Sequence, residues 1–334
     1  MRFRSIAVVT LLSCAAVGSA QAQTTPQDPK CTGNAADVCQ QAMDLISYMV
    51  PQLGVSITGG NVTLGQGGAL GGLPHFTIGV RANILSGAVP NIQTPTFGAT
   101  ATRRNPYPTS STPFGLPAVD ASVGLFKGVP LGLTNVGGVD VLLSMSYIPK
   151  ISKDAGASSV KVEPNSSTQI GYGVRVGLLQ ESLVVPGVAF SYFKRDLPTT
   201  SITGTFTSTV PVVNDTLAVN NMSVKTNAWR LTASKSLILF TIAAGVGGDS
   251  YDTKAGVHSG LHHTPGGTAT SDVSFARKMS RTNYFADLGM NILLVKIVGE
   301  VGMVSGGSMP TYNVFSTAAD ASHVYGSVGL RLGF

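Results

Sequence analysis

The sequence predicts an all-β chain: a transmembrane antiparallel up-and-down β-barrel of about 10–14 strands with a short N-terminal helix. Three observations predict it. Across 323–334, Val324, Val328, Leu330, Leu332 and Phe334 fall on one face of a period-two pattern while His323, Ser327 and Arg331 fall on the other. Charged residues are 11% of the 334, against a usual share of about 25%, and 40 glycines with 43% hydrophobic residues leave a mean hydropathy of +0.26. No run reaches the ~18 apolar residues a membrane helix requires, because 237–247 is short and 292–304 carries Lys296 and Glu300. An inner-membrane helical transporter is thereby excluded, and closed strands are the remaining way to hold so much apolar surface against lipid.

Arg2 and Arg4 precede a short apolar run over 6–12, and small residues follow to Ala20, Gln21 and Ala22. This is the pattern of a secretory signal peptide cut after Ala22. A rival reading acylates Cys14 within Leu11, Leu12, Ser13 and Cys14, although leucine two places before the cysteine fits it poorly. The expected organisation is a signal peptide over 1–22, an N-terminal helix and Gly-rich plug-like segment over 23–72, and a barrel over 73–334, placed in the bacterial outer membrane. The formal charge of +6 is modest, and no basic run with interleaved aromatics points to nucleic acid.

Asn34 is placed to cap a helix whose apolar positions Val38, Ala42, Leu45, Ile46 and Met49 recur at helical spacing, with Asp37 in its first turn and Pro51 ending it. Such a helix must dock on or inside the barrel. Cys31 and Cys39, in a compartment that permits disulfides, are a disulfide candidate, the alternative being two free thiols. No zinc site and no cofactor are expected. A Gly-rich stretch over 59–72 leads to the first strand.

Ten strand patterns follow: 75–85, 119–126, 139–148, 168–178, 184–194, 229–234, 237–247, 283–292, 295–305 and 323–334. Long connections over 86–117, 149–166, 197–226 and 248–281 alternate with mostly short ones, including a two-residue turn at Lys235 and Ser236. Patterns over 53–59 and 200–224 leave room for further strands.

The same alternation turns Arg81, Arg175, Arg230 and Arg331 inward, with Asp120, Asp140, Asp287, Lys296 and Glu300. These are lumen-lining candidates that would give mild anion preference, unless the arginines merely pair with the carboxylates and fill a narrow barrel. Tyr147, Tyr172, Phe190, Tyr192, Trp229, Tyr284 and Phe334 suit an interfacial girdle better than a lumenal stacking site. His258, His262 and His263 are weak metal candidates, able to share an ion only if their Gly-rich loop turns helically. Gly248, Asp249 and Ser250 resemble a lipid-esterase nucleophile motif, but the Asp and His block such hydrolases need late in the chain is missing.

Phe334, Leu332, Leu330 and Val328 resemble the closing-strand signal of bacterial outer-membrane barrels, which implies recognition by the barrel-assembly machinery and contact with outer-membrane lipid. Leu125 to Gly128 (Leu-Phe-Lys-Gly) and Ser146 to Pro149 (Ser-Tyr-Ile-Pro) resemble segments of Gly-rich outer-membrane barrel proteins of unassigned function. In architecture the chain is loosely similar to long-chain fatty-acid transporter barrels, which place an N-terminal segment before a barrel, but none of that family's binding residues is present. The expectation is a channel or transporter for passive passage of small solutes, gated by the N-terminal segment, and not an enzyme. The alternative is a structural or adhesin-like barrel whose Thr-, Ser- and Pro-rich loops carry the function, with a lipid hydrolase a distant third.

Overall fold

A computed structural model of the chain describes residues 25–155, 158–209, 212–263 and 267–334. The expected signal peptide over 1–22, with Cys14, lies outside the described residues. One helix, α1 (Ala36–Thr58), is followed by fifteen strands: β1 (Phe76–Pro90), β2 (Thr109–Phe126), β3 (Val129–Leu131), β4 (Thr134–Val136), β5 (Gly138–Tyr147), β6 (Ile151–Ala155), β7 (Ser158–Pro164), β8 (Thr168–Leu179), β9 (Gly187–Asp196), β10 (Thr200–Thr209), β11 (Val212–Leu237), β12 (Phe240–His263), β13 (Gly267–Ile292), β14 (Val295–Ser305) and β15 (His323–Gly333). No described helix is long and apolar enough to cross a membrane.

Ten strands close into an antiparallel ring in the order β1, β2, β5, β8, β9, β11, β12, β13, β14, β15, and β15 pairs back onto β1 with Ile78 opposite Leu332. Phe76 and Phe334 exchange backbone hydrogen bonds at the seam and stack their rings 5.1 Å apart. This is a transmembrane β-barrel, each ring strand pairing a neighbour on both sides. At one end short connections join the strands (the turn end); at the other β12 and β13 rise far beyond their neighbours (the loop end). There β10, β7 and β6 branch from the upper half of β11 as a side sheet, and β3 and β4 form a small hairpin at the turn end.

β13 shows why the sequence folds this way. From Tyr284 to Ile292 its outward residues are apolar and exposed, while inward Asn283 and Asp287 are buried. Above Thr282 the two faces trade character: outward Lys278, Ser274 and Asp272 are solvated, while inward Met279, Phe275 and Val273 pack on α1. The reversal marks where lipid ends and water begins. Below it the wall is apolar outside and polar inside; above it the strands and α1 build an ordinary hydrophobic core.

Several strand boundaries correct the sequence expectation. The loop expected over 248–281 is mostly a hairpin, because its inward residues find α1 to bury against. β1 and β2 extend to Pro90 and back to Thr109, so the loop expected over 86–117 shrinks to 91–108. Pro113 and Pro117 are tolerated because β2 pairs β5 only from Ala118 to Phe126 among the described residues, leaving the upper edge of β2 unpaired on that side. The turn expected at Lys235 and Ser236 falls instead at Ile238 and Leu239, with Leu237 opposite Phe240.

α1 also departs from expectation. It runs through Pro51 to Thr58 rather than ending there, and 53–59 adds no strand. A proline inside a helix costs about 3 kcal/mol. Continuation is nevertheless favoured because buried backbone in the lumen has no water to turn to. The N-cap is Ala35 with no side-chain bond, and Asn34 instead gives its carbonyl to the Gly98 N–H.

Candidate functional site

The residues between the disulfide and the first strand occupy the lumen. α1 enters from the loop end with its C-terminus pointing toward the membrane-spanning half, where its last carbonyls carry the negative end of the helix dipole and, beyond Val55, which still accepts the Gly59 N–H (2.8 Å), have no helical partner. Side chains from the wall take them one by one. Asn83 Nδ2 donates to Val55 and Ser56 (3.1 and 2.9 Å), Arg195 to Ile57 and Gly60 (2.8 and 3.0 Å), Arg230 to Thr58 (3.2 Å) and Arg81 to Gly59 (3.0 Å).

The chain then threads on through a turn at 62–65, closed by the Gln66 N–H to the Thr63 carbonyl (3.0 Å), and its amides meet acceptors of the wall. Asn61 N–H donates to Glu300 (3.2 Å), Gly65 to Asp287 (2.9 Å), Gly67 to Ser234 (2.7 Å) and Leu70 to Asp140 (3.1 Å). Lys296 Nζ donates to the Gly65 carbonyl (2.8 Å). Gly60 and Gly67 show why the segment is rich in glycine. Gly60 sits at φ +73°, and a Cβ on Gly67 would lie 2.5 Å from the backbone nitrogen of Ser234.

The lumenal charges are paired as well as plugged. Arg81 bonds Asp120 (2.7 Å), Arg175 bonds Asp140 (2.7 Å) and Arg230 bonds Asp249 (2.6 Å), all buried. Arg331, half-buried on the lumenal face, is the register partner of Lys296. The lumen-lining candidates Arg81, Arg175, Arg230, Asp287, Lys296 and Glu300 thus meet wall carboxylates or the N-terminal segment, and Arg331 lies beside Lys296. Arg195 was missed by sequence reading because its strand was ended at Lys194.

At the loop end the helix is tied down by 91–108 and 306–322. A disulfide joins Cys31 to Cys39 with Cα atoms 5.4 Å apart. Asp37 takes a bidentate pair from Arg104 (both 2.9 Å) and the N–H groups of Thr96 and Thr102 (2.7 and 3.0 Å). Burial pushes its carboxyl up, but the Arg104 pair and these amides together bring it below the ordinary carboxylate value. Asp44 accepts from the Tyr312 and Asn313 amides (3.0 and 2.8 Å), yet burial outweighs them and raises its carboxyl. The Tyr107 hydroxyl donates to Gln41 (2.7 Å) and is pushed up to about 12 by burial.

Between this helix and the wall lies an apolar cavity of about 350 Å³. Leu45, Met49 and Leu53 of α1 face Phe114, Leu116 and Met222 across it. Its mouth is the gap left where the upper edge of β2 has no β5 partner. Tyr147, half exposed on the outer face, lines both the cavity and an outer groove of about 630 Å³ with Val119 and Met145.

The histidine reading needs correction. His258 and His262 lie on a strand, about 13 Å apart at four residues' spacing, not on a helical turn. His258 bonds Asp272 (2.7 Å) and His262 bonds Asp215 (3.3 Å); nothing is described of the His263 side chain. Gly248, Asp249 and Ser250 are mid-strand, Asp249 facing Arg230 and Ser250 the opposite, exposed side.

Fold and lumen together define the class: a transmembrane β-barrel with an occupied lumen. No family model matches the chain, and no curated protein matches it in sequence. Among solved structures it is similar to the toluene transporter TodX of Pseudomonas putida (10% identity, 94% of this chain and 98% of that one, TM-score 0.32). It is similar also to the transport unit of the autotransporter AIDA-I from Escherichia coli (10%, 88% and 98%, TM-score 0.27) and to OmpT, an outer membrane protein of Vibrio cholerae (11%, 83% and 99%, TM-score 0.21). Likeness at this level bears on the fold alone. The expectation that the chain is not an enzyme is withdrawn, because the comparisons leave catalytic activity open.

Proposed function

We propose that the protein is an outer-membrane transporter for small, uncharged, apolar molecules, with 25–72 as the plug that closes its lumen. The cavity beside α1 carries this reading. Its volume of about 350 Å³ lies within the usual range of ligand sites, and exceeds the roughly 150 Å³ that suffices for one benzene ring. Its lining offers dispersion and burial but no charge, so it favours a compact hydrocarbon over a sugar or an ion. The gap beside Tyr147 gives such a molecule a way in from the apolar face, and plug movement gives it a way down.

The test is binding of naphthalene by the purified full chain in detergent, and its retention by vesicles carrying the protein. Leu116→Trp, which fills the cavity from the wall, should cut binding at least ten-fold while the barrel keeps its heat-modifiable mobility. Equal binding by the filled variant would sink the apolar-solute reading.

A second reading, a surface-interaction barrel, is favoured by one observation. β6 pairs only β7 among the described residues, so the side sheet offers its outer edge at the loop end, where a partner strand can add. Binding of naphthalene would not be expected in that case.

A further inference from the structure

We infer that the turn end of the barrel is sunk in lipid, its hairpin tips forming a greasy rim within the inner leaflet instead of standing in periplasmic water. Hairpin turns facing water are built from Asn, Asp and Gly. Here the tips are Ile238 and Leu239 between β11 and β12, Leu293 and Leu294 between β13 and β14, with Leu183 between β8 and β9 and Leu133, after Gly132, at the β3–β4 turn. Ile238 is 99% exposed, Leu293 100% and Leu183 94%, so none has a protein partner for its side chain.

Three further observations point to lipid as the occupant. Leu293 holds φ +54°, a region that glycine or asparagine enters far more readily, so a leucine is kept there against its backbone preference. Three carbonyls of the rim are satisfied from within, as a hydrocarbon setting favours: Leu239 accepts from Asn291 N–H (2.7 Å), Leu294 from Gly333 N–H (3.3 Å) and Leu183 from Lys235 Nζ (2.8 Å). The rim is also continuous with the lipid-facing band and completes its height. The outward apolar run from Phe76 to Ile84 rises about 26 Å along β1, or about 20 Å along the membrane normal at a tilt of about 40°, short of the ~25 Å band such barrels present. The tips supply the remainder. This inference rests on the barrel alone and not on the proposed solute.

Spin labels on Ile238→Cys and Leu293→Cys, each in the full chain folded into phosphatidylethanolamine–phosphatidylglycerol vesicles, test it. Collision with oxygen relative to a water-soluble nickel complex should be at least five-fold higher at both than at Thr270→Cys on the solvated loop end. Heat-modifiable mobility confirms folding for each. Nickel access at both tips equal to that at Thr270→Cys overturns the inference, as does protection that appears in isolated outer membranes but is missing from the pure lipid vesicles, which would assign the rim to a protein cover.

Discussion

Arg195 reaches the Ile57 carbonyl at 2.8 Å while its guanidinium lies 4.8 Å from the centre of the Phe193 ring, and among the described residues it forms no ion pair with a carboxylate. Its neighbours Arg81 and Arg230 divide themselves between a wall carboxylate and a plug carbonyl. Arg195 also bonds the Gly60 carbonyl, so its charge is devoted to the end of α1.

Removing it should therefore loosen the plug without unfolding the wall. Hydrogen bonds from a charged donor are each worth about 1.5–3 kcal/mol. With two lost, Arg195→Met should shift the ratio of docked to released plug by at least about 2 kcal/mol, roughly thirty-fold. Planar-bilayer recordings should show openings that are rare in the parent. A silent, folded variant would mean the helix is held elsewhere.

Arg175 and Asp140 form a buried pair, and breaking one member of such a pair costs about 3–5 kcal/mol because the other charge is stranded. Arg175→Met should lower the folded fraction, and adding Asp140→Leu should recover most of it. Val174→Glu, one residue along but facing lipid, should also impair folding, by somewhat less than the roughly 2–4 kcal/mol that a basic side chain costs at midplane. If Val174→Glu folds normally while the double variant does not recover, β8 is out of register by one residue.

Gly67→Val places branched carbon where the plug backbone already touches Ser234. The atom it meets is main chain and has nowhere to move, so the thread must leave the wall there. Limited proteolysis should cut within 59–72 in the variant and spare the parent, with the barrel strands intact in both.

The Asp37–Arg104 pair gives the loop end an acid limit. A carboxyl held below its unfolded value contributes stability that is present above about pH 4 and is lost as pH falls through the lowered folded value. Hydrogen exchange over 91–108 should stay slow at pH 5 and quicken only below pH 4. Arg104→Gln should bring that loss to higher pH; an unchanged profile would remove Asp37 from the account.

Period-two alternation carries the ten wall strands and their facing within the membrane, because lipid outside and polar groups inside give every residue an unambiguous side. Beyond Thr282 the same strands are illegible as barrel, since the apolar residues change face and only the presence of α1 explains Phe275 and Met279. Pro51 reads as a helix stop because local rules assume water beyond it. Ile238 and Leu239 read as strand because turn chemistry is ordinarily polar. Whether Arg81, Arg175 and Arg230 line a polar lumen or pair with carboxylates is open in the sequence, and no spacing marks the carbonyls after α1 that Arg81 and Arg230 also meet.

The reversal of face along β13 has a further effect. A wall that is oily outside over its whole length can bob up and down in a bilayer at little expense. Here Thr282 and its polar neighbours cannot sink, and Tyr284 and the residues below it cannot rise. Depth is thus fixed from both directions by one strand, and the rule for a tolerated substitution inverts within four residues: leucine is ruinous to solubility at Ser280 and natural at Tyr284, whereas lysine is harmless at the former and forbidden at the latter.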